Sequence, residues 1–188
     1  MILGAFLTQN ASWHNASLAI SNLKKKGMIS VSRLSRVPAR SLAQVIRPAG
    51  YFNVKAARIR NFALFLNREY GSLKNLFREK TPLLRTRLLQ VNGVGPETAD
   101  SILLYAAKRP VFVIDAYTRR IFSRLGLVPG DASYEQIQAF FMDPLPADRR
   151  LFNEYHALLV RLAKTHCLAS KPRCYSCPIL ALCRYGKH

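Results

Sequence analysis

The sequence predicts an all-α protein, and three observations carry that expectation. Apolar residues recur at helical spacing along almost the whole chain. Ser, Asp, Pro and Gly stand where those periodic stretches begin and end, as helix starts and stops require. The one run with strand character, Val111 to Ile114, has no second candidate strand to pair with and reads as an extended connection.

Taken in order, residues 2–27 give a helical pattern interrupted near Thr8, Gln9 and Asn10. Lys24 to Lys26 followed by Gly27 mark its end, with cations in the last turn and a glycine after them. A short helix is expected from Ala39 to Ile46, stopped by Pro48 and Gly50. The clearest amphipathic helix comes next, with Ala56, Ile59, Phe62, Ala63 and Leu66 on one face and Arg58, Arg60 and Arg68 elsewhere. Pro82 to Leu89 and Thr98 to Ala107 are the next two. A further helix restarts at Asp115, a residue type suited to an N-cap. "SYEQIQAFFMD" and "FNEYHALLVRLAKTHC" complete the set. No internal repeat or low-complexity linker interrupts the pattern.

A chain of 188 residues with 49% hydrophobic content can build one large domain or two small ones. The formal net charge of +19 is spread along the chain rather than gathered in a tail, which describes a folded basic surface. Its natural partner is a polyanion, nucleic acid first; an anionic membrane surface or a ribosome would satisfy the charge alone equally well. No apolar run approaches the roughly 20 residues of a membrane span. "MILGAF" has no basic leader or cleavage signal, so a cytoplasmic protein is expected.

Two motifs carry chemistry. In Asn92-Gly93-Val94-Gly95-Pro96, glycines at alternate positions permit positive φ and close approach to a ligand. The segment joins two helices, so the turn is a helix–hairpin–helix, whose N–H groups can cradle a DNA phosphate. An ordinary helix–helix turn carries the same glycines; the +19 charge favours the phosphate-binding reading. The second motif is Cys167, Cys174, Cys177 and Cys183, spaced C-x6-C-x2-C-x5-C. Clustered thiols in a reduced compartment point to a metal before disulfides. Four thiolates suit one [4Fe–4S] cluster or one zinc ion, and the long outer gaps favour the cluster. Lys171 and Arg173 lie on the loop between the first two cysteines, as a candidate phosphate contact.

The hairpin, the downstream "VIDAYTRR" and the cysteine spacing together resemble the helix–hairpin–helix DNA glycosylases of the endonuclease III type, over nearly the whole chain. The pattern "GVGPETAD…VID" is most similar to the 3-methyladenine glycosylase branch. The resemblance implies two helical domains flanking a DNA-binding cleft. One is a helical barrel over residues 1–109; the other, over residues 110–188, carries the aspartate helix and a [4Fe–4S] cluster. The expected partner is double-stranded DNA containing damaged bases, bound by a monomer. A damaged nucleotide is flipped out of the duplex. Gln9, beside Asn10, would enter the vacated stack, and Tyr51 holds the second wedge position; by themselves these residues read as a helix-end cap and a packing ring. Trp13 matches the aromatic that stacks on an alkylated, cationic base, where a π face favours the cation; by composition alone it reads as core. The usual helix preceding the barrel has no counterpart in these residues, so a smaller cluster domain is expected.

Members that cut the strand place a lysine two residues after the second hairpin glycine, where it forms a Schiff base. Glu97 stands there and cannot form that imine. Lys108, about 16 Å further along a helix axis, is no substitute. Glu97 reads first as a first-turn acid that suits the helix dipole, and secondly as a base-pocket residue. Asp115 matches the family's catalytic aspartate. One carboxylate beside an oxocarbenium-like sugar can stabilise its charge and activate water. Capping a helix and catalysis are compatible, since a cap favours the ionised form. Tyr117, two residues on, is a pocket candidate by proximity. His14, His156, His166 and His188 show no metal-ligand spacing and receive no role. The expected activity is a monofunctional DNA glycosylase acting on alkylated purines. The alternatives are a glycosylase with AP-lyase activity on oxidised pyrimidines and a non-catalytic binder of damaged DNA.

Overall fold

A computed structural model describes residues 1–187; His188 lies outside the described residues. Helices dominate, and among the described residues there is no strand. Contacts divide the chain into two compact units, Met1–Ala107 and the remainder from Lys108 onward.

The first unit contains α1 (Ile2–Leu7), α2 (Trp13–Lys25), α3 (Val31–Arg36), α4 (Ala39–Val45), α5 (Phe52–Glu69), α6 (Leu73–Leu76), α7 (Thr81–Leu89) and α8 (Pro96–Ser101). Ser12 caps α2 by accepting a hydrogen bond from Asn15 N. That helix ends where Gly27 turns to φ +61°, so the N–H of Met28 reaches back to Leu23 O at 2.9 Å. α5 is the centre of the unit: its expected apolar face of Ala56, Ile59, Phe62, Ala63 and Leu66 is buried, and it packs on α3 and α4. Burying each of the larger side chains contributes about 1.5–3 kcal/mol.

Two short helices, α3 and α6, are not marked by the sequence pattern, because six and four residues are too few to show a period. Serine caps give both away in the structure: Ser30 accepts from Arg33 N and Ser72 from Asn75 N. The helix expected from Thr98 begins at Pro96, where proline fits the first turn. From Ile102 to Ala106 it widens into a π-turn, with Ala107 N bonded to Ile102 O at 2.9 Å. Lys55, between the apolar positions of α5, is 2% exposed, an unexpected place for a cation.

The second unit holds α9 (Ala116–Leu125), α10 (Tyr134–Met142) and α11 (Arg149–Thr165), and after them the cysteine segment. Val111 to Ile114 lies outside any helix or strand, as a connection should, and all four residues are buried. It has no ladder partner, so side chains of α10 serve its backbone. Ile114 N donates to Tyr134 Oη at 3.2 Å, and Gln138 Nε2 donates to Phe112 O at 2.7 Å. A buried segment must find such partners or bear the desolvation penalty of each unmade bond. Phe112 stacks on Phe141 with 4.1 Å between centroids and meets Phe152 edge-on at 5.4 Å; all three are essentially fully buried. This aromatic core fixes the position of Asp115, next in the chain after the buried run.

Candidate active site and nucleic-acid interface

The hairpin is built by α7, the turn and α8. Arg85 of α7 grips the fully buried Asp100 of α8 through two bonds, Nε to Oδ1 at 2.7 Å and Nη2 to Oδ2 at 3.1 Å. This bidentate pair sets the angle between the two helices. Val94 is buried, its N–H bonded to Val91 O at 2.9 Å, while Asn92 and Gly95 are exposed. Asn61 Nδ2 donates to Asn92 O at 3.2 Å. The two glycines do different things. Gly93 has φ +94°, and a Cβ there would stand 2.2 Å from Arg58 Cγ. Gly95 has an ordinary φ of −94°, so of the two hairpin glycines Gly93 is the one that uses the positive-φ region. An added Cβ at Gly95 would meet nothing, leaving the surface open to a ligand backbone. Gly93→Ala is expected to destabilise the protein by about 2–4 kcal/mol, since strain and overlap add; a denaturant midpoint equal to wild type would refute the overlap.

Gln9, Asn10, Arg58, Gly93, Glu97 and Thr98 line an open cleft of about 430 Å³ within the first unit. Gln9 is engaged at both ends: Arg58 Nη1 donates to its Oε1 at 2.5 Å, and its Nε2 donates to Thr98 Oγ1 at 2.7 Å. Asn10 is exposed at φ +51°. Tyr51 is 72% exposed, at φ +44°, so it is presented to solvent rather than packed. Trp13 is not core: it opens α2, lies against Gly4, and is 58% exposed. Glu97 sits in the first turn of α8 and is exposed.

Asp115 is the N-cap of α9. Its Oδ1 accepts from Thr118 N at 2.8 Å and from Thr118 Oγ1 at 2.9 Å. Its Oδ2 faces His156 Nε2 of α11 at 3.5 Å, with the two side chains 13% and 12% exposed. That separation lies at the outer edge of hydrogen bonding. Burial pushes the Asp115 carboxyl up, but His156, through its bond and its charge, and the N–H and O–H of Thr118 outweigh it. The net pKa lies below the ordinary carboxylate value. With a depressed folded value, the stability these contacts supply is complete above the unfolded value of about 3.9 and is lost only as the pH falls through the lower, folded value. Removing His156 is expected to move the acid limb of base release to higher pH. Rate profiles of wild type and His156→Ala check this, and superimposable acid limbs would mean that Thr118 alone holds the anion.

His156 is the residue that sequence reasoning passed over. Its spacing to other histidines held no signal; its place on α11, on the same helix as the core residue Phe152 and one turn further on, is the feature that could have pointed inward. Tyr117 does not approach as an isolated pocket residue: the Arg120 guanidinium lies over its ring at 5.3 Å. Arg120 Nε also donates to Cys167 O at 2.9 Å, and Arg124 donates to Cys167 Sγ at 3.3 Å and Leu168 O at 2.7 Å. One helix, α9, thereby holds Asp115 at its start and the cysteine segment along its length.

Cys167, Cys174, Cys177 and Cys183 are free thiols that ring one small cavity, walled otherwise mostly by apolar side chains such as Ile121, Leu125 and Leu180. Among the described residues no His, Cys, Asp or Glu set is arranged to hold a single metal ion. Lys171 and Arg173, on the loop after Cys167, are exposed, with Lys171 at φ +50°. No described helix is long and apolar enough to cross a membrane.

The model of the HhH-GPD superfamily base excision DNA repair protein matches residues 3–147. The chain belongs to this superfamily, as a base excision repair glycosylase of the endonuclease III type. It is 44% identical over 185 residues to a protein of Methanocaldococcus jannaschii provisionally named a DNA repair glycosylase, covering 97% of this chain and 84% of that one. Endonuclease III trapped as a covalent intermediate with DNA is similar in structure, at TM-score 0.85 and 26% identity, over 99% of this chain and 83% of that one. The H. pylori 3-methyladenine DNA glycosylase bound to 1,N6-ethenoadenine is similar at TM-score 0.75 and 26% identity, over 87% and 83%.

Proposed function

We propose that this glycosylase hydrolyses the N-glycosidic bond of an alkylated purine nucleotide extruded from double-stranded DNA, without a strand-cleaving step. The observation that carries this reading is the Asp115 carboxylate, held ionised by Thr118 and His156 with one oxygen committed to the cap and the other facing the imidazole. In the reaction, water adds at C1′ and the C1′–N bond breaks with its electron pair going to the base. A cationic alkylated base thereby leaves neutral, and the proton of the attacking water is released through Asp115. The anion stabilises the positive charge that builds on the sugar. Glu97 at the position of the Schiff-base lysine supports a purely hydrolytic outcome.

Exposed Trp13 supports recognition of a cationic base, because its π face is available for stacking. The likeness to a 3-methyladenine glycosylase adds to that support. Gln9 and Tyr51 fill the gap left in the stack, and the hairpin, Lys171 and Arg173 bind phosphates. The four cysteines would hold a [4Fe–4S] cluster. The donor set fits: four free thiols, a mostly apolar shell, and the Arg124 guanidinium against one sulfur. When bound, the cluster supplies a rigid cross-link for the segment that carries Lys171 and Arg173.

A second reading, a glycosylase with AP-lyase activity on oxidised pyrimidines, is favoured by the higher TM-score with endonuclease III. Free bases released from methylated, oxidised and deaminated duplexes, identified by mass spectrometry and paired with borohydride trapping, separate the two. Methylpurines with no trapped adduct are expected. Oxidised pyrimidines together with a covalent protein–DNA adduct would overturn the proposal, and no base released from any of the duplexes would leave a binder of damaged DNA.

A further inference from the structure

Lys55 is 2% exposed and pairs with no carboxylate among the described residues. Its Nζ donates to Leu7 O at 2.8 Å and to Ala49 O at 2.7 Å. Each acceptor closes a helix: Leu7 is the last residue of α1, and Ala49 ends the short 3-10 turn Arg47–Ala49. Carbonyls at helix ends lack intrahelical donors, and a cation complements both their lone pairs and the local dipole. One ammonium therefore closes two helix ends at once.

Both helix ends run directly into loops that bear the wedge residues. Leu7 leads through Thr8 into Gln9 and Asn10; Ala49 leads through Gly50 into Tyr51. The backbone N–H of Lys55 also donates to Tyr51 O at 3.0 Å. Asn10 and Tyr51 both have positive φ; asparagine takes that conformation readily, but a bulky tyrosine keeps it only where the surroundings hold it. The side chain responsible for holding both loops is a buried charge, at a place where an apolar residue would be cheaper.

We infer that Lys55 is a positioning residue that braces the Gln9 loop and the Tyr51 loop against each other, so that both enter DNA as one preset plug. The inference rests on the assignment of Gln9 and Tyr51 to the emptied stack. It accounts for an ammonium in the core that takes no part in glycosidic chemistry, and for two loops, one carrying a left-handed tyrosine, converging on one nitrogen.

The test uses a duplex with 2-aminopurine opposite a tetrahydrofuran abasic analogue, together with Lys55→Met and Lys55→Gln. Wild type is expected to raise the fluorescence on binding, as its plug unstacks the reporter. Lys55→Met, folded by far-UV circular dichroism, is expected to bind the same duplex with a Kd within about 3-fold but to lose most of the fluorescence rise, since phosphate contacts are untouched. Lys55→Gln keeps a donor and is expected to fall between the two. In single-turnover base release, Lys55→Met is expected to be about 10- to 100-fold slow on the paired lesion that wild type processes best. It should recover to within about 3-fold of wild type when that lesion stands opposite an abasic site, where extrusion needs little help. Equal slowing in both contexts, or a full fluorescence rise, would overturn the brace. So would failure of both variants to fold, which would make Lys55 a residue of the general core. A wild type that binds without any fluorescence rise would remove the plug and the brace with it. A wild type that plugs but releases no base would sink the proposed activity and leave the brace standing.

Discussion

Asp115→Asn is expected to slow single-turnover base release by about 100- to 1000-fold while leaving the fold intact. Asparagine is nearly isosteric and is as good an N-cap as aspartate, so the hydrogen bond from Thr118 N survives and only the part of the stability that depends on the negative charge is lost. What disappears is the negative charge. An amide cannot balance a developing oxocarbenium ion or take up the proton of the attacking water. DNA affinity should be unchanged or slightly higher, because a polyanion-binding protein loses one negative charge. Asp115→Ala separates the two roles of the residue. It should show the same loss of rate and an additional destabilisation of about 1 kcal/mol from the missing cap. Base release by Asp115→Asn at the wild-type rate would mean that the chemistry is carried elsewhere.

The second large effect is expected at the cysteines. Cys174→Ser should lose iron, inorganic sulfide and visible absorbance together, and should lower the unfolding midpoint by about 10 °C or more, as removal of a structural metal centre from a small unit does. Among its described residues, the segment after α11 contains only short 3-10 turns, at Cys174–Ser176, Leu180–Leu182 and Tyr185–Lys187, with no fully buried side chain among them. Such a segment cannot hold itself together by apolar burial, so the proposed cluster would supply most of its stability. Its other ties run to α9: Arg120 and Arg124 bond to Cys167, Leu168 and Ala169, Cys183 Sγ donates to Arg124 O, and the Arg124 guanidinium lies over the Tyr185 ring, so both ends of the segment should stay near α9. Elemental analysis and thermal melts of protein prepared without oxygen check both halves. A colourless wild type with one bound zinc would replace the cluster with a zinc site.

Periodicity, caps and residue type were enough to read the chain as helical, to find the apolar face of α5, to place Asp115 at a helix start and to group the four cysteines. These are local properties, settled by neighbours within a turn or two along the chain, and a local pattern records them. The short α3 and α6 escaped because so few residues cannot display a period. Tertiary structure alone decided the rest. It brought His156 to Asp115, gave Val111 to Ile114 its hydrogen-bond partners from α10, closed Gln9 between Arg58 and Thr98, and sank Lys55 onto two distant carbonyls. Each of these joins residues far apart in the chain. The energy that places them comes from apolar burial and from hydrogen bonding among groups that meet only once the cores have packed, so a local pattern can turn a side chain inward, as at His156, without naming its partner.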